Sequence, residues 1–216
     1  MSGISKIVGR VRGMFAGNYP ENREDEEFHL NNRGDMCVAQ ALPERAELVR
    51  MGNSYISIGT TVAPVAALPT TAAHFSLWNG ENDDGLSYII DYVGSINTTS
   101  AGAAINLGLS YCLNLGKQTN PAGAIAIKSL SGRANYRGKG NTKASVSVTN
   151  DGFFPMGNGL VCANTANIMM SVEYSMYGRI IVPPGCLFSL ATLCNAAGSA
   201  SAQPWIIWHE VRLILG

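Results

Sequence analysis

Charge is scarce through most of this chain. Beyond residue 50, eight Lys/Arg and seven Asp/Glu are spread over 166 residues, where a soluble domain ordinarily has about a quarter of its residues charged. Formal charge for the whole chain is zero, so bulk electrostatics offer no hold to nucleic acid or an anionic membrane, and no direct contact with either is expected. Histidine is rarer still: His29, His74 and His209 lie far apart, so a metal site or triad would have to be assembled wholly by the fold. His209-Glu210 does not open H-E-x-x-H, because Leu213 stands where the second His belongs, and no G-x-S-x-G occurs. No cofactor is expected, and an enzyme is the weakest reading. The five cysteines (Cys37, Cys112, Cys162, Cys186, Cys194) form no C-x-x-C pair, and they read as buried thiols of a protein made in a reducing cytoplasm. The most apolar stretch, Ile180 to Ala197, is interrupted by Pro183-Pro184-Gly185, short of the ~20 residues a membrane helix needs. The opening residues run into Arg10 and Arg12 with no apolar core and cleavage site, so no secretory signal is expected.

What charge there is gathers in residues 1–50, with seven basic and eight acidic residues. Ile4, Val8, Val11 and Phe15 recur at helical spacing with Lys6, Arg10 and Arg12 between them. Gly3, Gly9 and Gly13 interrupt the pattern at a cost of ~1 kcal/mol each against Ala. Those seven residues form a basic amphipathic segment that gains order only on a partner; a plain disordered terminus is the bland alternative. Residues 18–33, acid-rich and polar, read as linker. Pro43, Glu44 and Glu47, then Arg50 and Gly52, predict one short helix at about 43–51. The organisation expected is therefore an extended arm over 1–52 carrying that helix, followed by one body over 53–216.

The body reads as strand and turn. Period-two alternation marks 54–58, 73–78, 86–93, 105–113, 124–130, 168–177, 180–182, 186–194 and 205–215, separated by Gly, Asn, Asp and Pro clusters. Many short strands with no helical period between them predict an all-β sandwich or barrel. Glu81-Asn82-Asp83-Asp84-Gly85 has hard oxygen ligands without the spacing of a calcium loop, and reads as a hairpin turn. Residues 132–143 form the one basic, Gly-rich loop, in which Arg133, Arg137, Lys139 and Lys143 surround Tyr136. It could grip an acidic partner or charged glycan, or simply be a solvated loop. Arg33-Gly34-Asp35 reads as an ordinary turn, and Asn97-Thr98-Thr99 as a lone sequon. Trp78, Trp205 and Trp208 would be the aromatic platform of a carbohydrate-binding sandwich, although Trp in a strand is more often core.

Gly178-Arg179-Ile180-Ile181-Val182-Pro183-Pro184-Gly185, followed by Cys186-Leu187-Phe188-Ser189-Leu190-Ala191 and the closing Trp205-Ile206-Ile207-Trp208-His209-Glu210-Val211, resembles the final strands of tumour-necrosis-factor-like or C1q-like jelly rolls in bacteriophage virion proteins. Leu42-Pro43-Glu44-Arg45-Ala46-Glu47-Leu48-Val49-Arg50 and the stretch from Ala67 to Glu81 are similar to the start of phage structural proteins. The resemblance covers residues 42–95 and 178–212. It implies an all-β jelly-roll sandwich with an extended N-terminal arm, forming a homotrimer that decorates or cements a capsid. The partners implied are the major capsid protein or other virion proteins. A tail, baseplate or fibre adaptor binding a host glycan is the alternative within the class. On either reading Ile4, Lys6, Val8, Arg10, Val11, Arg12 and Phe15, with Arg133, Arg137 and Lys139, are the expected partner-binding residues.

Overall fold

A computed structural model describes residues 45–83, 85–99, 107–121, 125–132, 135–148, 152–162, 170–194 and 201–213. From Leu48 onward the chain forms one compact unit. Among the described residues one helix, α1 (Ala46–Met51), precedes ten strands: β1 (Ser54–Ile58), β2 (Ala72–Trp78), β3 (Leu86–Thr99), β4 (Leu107–Lys117), β5 (Ile127–Ser129), β6 (Asn141–Ser147), β7 (Phe154–Cys162), β8 (Met170–Val182), β9 (Cys186–Cys194) and β10 (Ser201–Arg212). The helix is shorter than its sequence pattern suggests because Arg45, at φ 64, is left-handed and cannot continue it backwards; Pro43 and Glu44 lie outside the described residues. It stops as expected at Gly52. With φ 81, Gly52 donates to the Val49 carbonyl (3.0 Å), while Asn53 N–H reaches Leu48 (2.9 Å), the paired bonds of a Schellman stop.

The strands build two five-stranded antiparallel sheets, ordered β5-β1-β10-β3-β8 and β6-β2-β9-β4-β7. Strands β5 and β6 both come from the excursion between β4 and β7, and each pairs at one edge, on β1 and β2 respectively. With that insertion set aside, the remaining eight strands run first-eighth-third-sixth in one sheet and second-seventh-fourth-fifth in the other. This is the double Greek key of a jelly-roll sandwich. Phe75, Leu77, Tyr88, Ile90, Val93, Met176, Val182, Phe188, Leu190, Ile206 and Trp208 fill the space between the sheets and are buried. Each such side chain contributes roughly 1.5–3 kcal/mol by leaving water.

Sequence alternation gives β1 and β9 at their observed bounds, truncates or splits others, and overruns β5, which spans Ile127–Ser129 within the segment read as 124–130. The segments read as 168–177 and 180–182 are one strand, β8, bulged where Tyr177 (φ 49) and Gly178 (φ 71) leave the ladder. Strand β10 starts at Ser201, ahead of Pro204, which β1 passes only as it ends: Gly59 N–H bonds the Pro204 carbonyl at 2.7 Å. Alternation does not mark strands β6 and β7. Both are edge strands, where Pro155, two glycines and a polar face are tolerated. In β3, a further bulge leaves Asp91 without a register partner between Ile90 and Tyr92. The extra residue turns both Asp91 and Tyr92 to the outward side, while Ile90 and Val93 stay in the core.

One end of the sandwich is held by Asn79. Its Nδ2 donates to the Leu86 (2.8 Å) and Val182 (2.9 Å) carbonyls, and its Oδ1 accepts the Glu81 N–H at 3.0 Å. Its backbone meets the Pro183-Pro184-Gly185 turn, a type II turn with Pro at the second and Gly (φ 71) at the third position. Asn79→Ala orphans two carbonyls at a fully buried site; the expected loss is about 3 kcal/mol. Urea unfolding with an unchanged slope would measure it, and a loss within 0.5 kcal/mol, roughly the scatter of a surface change, would refute the role.

Candidate functional site

The acidic turn and the basic loop, separate features in the sequence, meet at this same end of the sandwich. Lys139 Nζ lies 3.4 Å from Glu81 Oε2, with the Lys side chain 56% exposed and the Glu 11%. Gly138 and Gly140 let the loop lie flat: a Cβ on Gly138 would come 2.4 Å from both Glu210 Oε2 and the Tyr136 hydroxyl. Tyr136 inserts its ring edge-on to Tyr55, with centroids 4.7 Å apart and planes at 87°. Its hydroxyl donates to Glu210 Oε1 (2.5 Å) and accepts the Gly140 N–H (2.8 Å). Trp208 Nε1–H donates to the same carboxylate oxygen at 3.2 Å.

Glu210 shares its parity on β10 with Ile206 and Trp208, so the carboxylate points to the core side and is 2% exposed. Burial raises its pKa from 4.5 to about 7, outweighing the two donated hydrogen bonds, and the Glu81 charge adds to the rise. Burial and the Glu210 carboxylate together push the Tyr136 and Tyr88 hydroxyls far above the ordinary phenol range. Beside this network is a cleft of ≈ 230 Å³, lined in part by Met51, Asn53, Tyr55, Ser129, Arg137 and Glu210.

Of the expected partner-binding residues, Arg137 and Lys139 are described. Arg137 is exposed at the cleft, Lys139 is engaged with Glu81, and Lys143 donates to the Pro121 carbonyl at 2.8 Å. Ile4, Lys6, Val8, Arg10, Val11, Arg12, Phe15 and Arg133 lie outside the described residues, as do Arg33-Gly34-Asp35. Glu210 and Tyr136 were not singled out from sequence, although a carboxylate in register with a core Trp was a usable signal.

A second polar group sits on the outward side of the first sheet. Ser54 Oγ and His209 Nδ1 are 2.7 Å apart, and His209 Nε2 lies 3.2 Å from Asp91 Oδ2. The residue types are those of a hydrolytic triad, but Ser54 is 0% exposed and His209 3%, so no substrate carbonyl can reach the hydroxyl. The group is a polar clamp across β1, β10 and β3. Among the described residues no cluster of three His, Cys, Asp or Glu could hold a metal ion, and no described helix is long and apolar enough to cross a membrane.

The three tryptophans do not share a surface. Trp208 is fully buried; Trp78, tied to the Gln118 carbonyl at 2.9 Å, belongs to the second sheet, and Trp205, packed on Gly94, to the first. Asn97 of the sequon is 5% exposed in β3, which closes it to a glycan in the folded body.

No protein-family model matches the chain, and no curated protein matches it in sequence. Among solved structures, a chain from the structure of a marine algae virus of the order Picornavirales aligns at 10% identity with a TM-score of 0.23, covering 100% of this chain and 94% of that one. A likeness of that size carries no weight for fold or function.

Proposed function

We propose that this chain is a non-enzymatic virion structural protein, a capsid decoration or cement protein that associates with copies of itself and binds the shell through its leading segment. The observation that carries this reading is a jelly-roll strand order built on a nearly chargeless body. Jelly rolls serve chiefly as capsid and lectin domains and as cupins. The lectin alternative needs aromatics around one groove, and the three tryptophans are divided between the core and opposite sheets. A surface with so few charges is suited to being covered, while the charged residues of 1–50 supply the polar contacts to a foreign scaffold. Several such segments on one assembly would add weak contacts through effective concentration.

Deleting residues 1–41 is expected to lower co-sedimentation with isolated capsids at least about ten-fold, the scale on which avidity is lost when one of two linked contacts is removed. The body should still unfold at its original temperature. Undiminished capsid binding by the truncated chain would sink the anchoring role.

A further inference from the structure

We propose that the outward face of the first sheet is where two copies of this chain meet, sheet against sheet, about a two-fold axis parallel to the strands. It deepens the self-association in the reading above and depends on that part of it alone.

A sheet with one wet face alternates apolar and polar along each strand, and the central strands of this sheet do not. Cross-strand register places Ile58, Trp205 and Gly94 in one outward row, and Ile56, Ile207 and Tyr92 in the next. Ile58 is 46% exposed and Tyr92 37%. Trp205 lies over Gly94, where a Cβ would come 2.1 Å from the indole, so the middle of the face is broad and low. Directly opposed residues share a face, and this carries the two rows out to charged margins. Lys128 on β5 is opposite Ile56, and Glu173 on β8 is opposite Gly94. Both side chains are exposed; Glu173 also accepts from Ser171 Oγ at 3.2 Å. At these two rows the face is therefore positive at one margin, negative at the other and apolar between; farther along the same strands it turns polar at Ser54, His209 and Asp91, and β8 carries the exposed Arg179.

This pattern selects the partner and its orientation. A two-fold axis along the strands exchanges left and right margins, so Lys128 of each copy comes to the margin that holds Glu173 of the other, one row apart along the strands and twice per interface. An axis across the strands would set Lys on Lys and Glu on Glu. Apolar rows then meet apolar rows at the usual sheet-to-sheet spacing of about 10 Å. The match is to itself, which makes the occupant a second copy. Such a face yields pairs; a trimer would have to be built on other surfaces.

The test measures self-association of the full-length chain by sedimentation velocity across micromolar concentrations, with circular dichroism melts as a check on folding. Ile207→Lys is expected to raise the dissociation constant about a hundred-fold by placing an unpaired ammonium in the apolar rows. Lys128→Glu and Glu173→Lys should each weaken it about ten-fold, and the two together should restore it to within about three-fold. The margin substitutions are exposed, so they keep the test decisive should Ile207→Lys fail to fold. Absence of rescue in the double variant would overturn the face, as would a wild-type monomer whose face is covered by its own chain. A trimer indifferent to all three changes would overturn it too, leaving the virion reading intact; failed capsid binding with rescue intact would do the reverse.

Discussion

Trp208→Ala is expected to lower the unfolding free energy by about 4 kcal/mol, near the top of the range for large-to-small core substitutions. Trp208 is the largest fully buried side chain. Its ring centroid lies 5.9 Å from Tyr55, 6.4 Å from Tyr88 and 6.5 Å from Tyr136, so the cavity is bounded by aromatics on three different elements that cannot all collapse into it. The substitution also removes the indole N–H from Glu210, and a buried carboxylate that loses a donor costs more than a neutral group in the same place. For a domain of this size the melting temperature should fall by roughly 10 °C. Trypsin provides a second readout. With the floor beneath Tyr136 gone, cleavage after Arg137 and Lys139 should accelerate well before global unfolding. A stability loss below about 1 kcal/mol, with cleavage unchanged, would mean the ring cluster does not anchor the loop.

That cluster also marks how far the sequence could be read. Alternation located Ser54–Ile58 and Cys186–Cys194 because each is a short apolar-rich run between clear turn residues, Gly52 before one and Pro183-Pro184-Gly185 before the other. It missed Asn141–Ser147 and Phe154–Cys162 because edge strands are stabilised from one side only and so accept residues that elsewhere signal turns. Alternation along β10 sets His209 on the face opposite Trp208, and the structure has it there, hydrogen-bonded to Ser54 while Trp208 fills the core. It could not show that Asp91 waited there, since only the β3 bulge turns that side chain outward. The same parity sets Glu210 on the core side with Trp208, but alternation along one strand says nothing of its partner Tyr136, which lies 74 residues away in a loop. Two of the cations have partners within the chain: Lys139 reaches Glu81 and Lys143 a carbonyl. The loop's glycines serve close approach to a carboxylate, a use that composition alone does not distinguish from a grip on phosphate.

Glu210→Gln is expected to change how stability depends on pH. The folded carboxyl titrates near 7 and the unfolded one near 4.5, so the folded state holds its proton more tightly. A group of this sign contributes its full stability below pH 4.5, loses it as pH rises through 7, and stays flat above. The difference amounts to about 3 kcal/mol. Glutamine stands in for the protonated acid, its Oε1 still able to accept from Tyr136 and Trp208. Wild type and variant should therefore be nearly equal at pH 4.5 and diverge toward pH 7.5, where the variant becomes the more stable by up to that amount. Urea midpoints at half-unit intervals of pH would trace the divergence, and parallel curves for the two proteins would refute it. A non-conservative control, Glu210→Ala, removes the acceptor altogether and should be less stable than wild type at pH 4.5, where the charge is absent and the loss combines the hydrogen bonds with the cavity left at this buried site. Loss with Ala and gain with Gln at neutral pH would separate two effects that one substitution confounds: the carboxylate is worth having as a hydrogen-bond acceptor and costly as a charge, and the wild-type chain retains it at the base of the loop despite that cost.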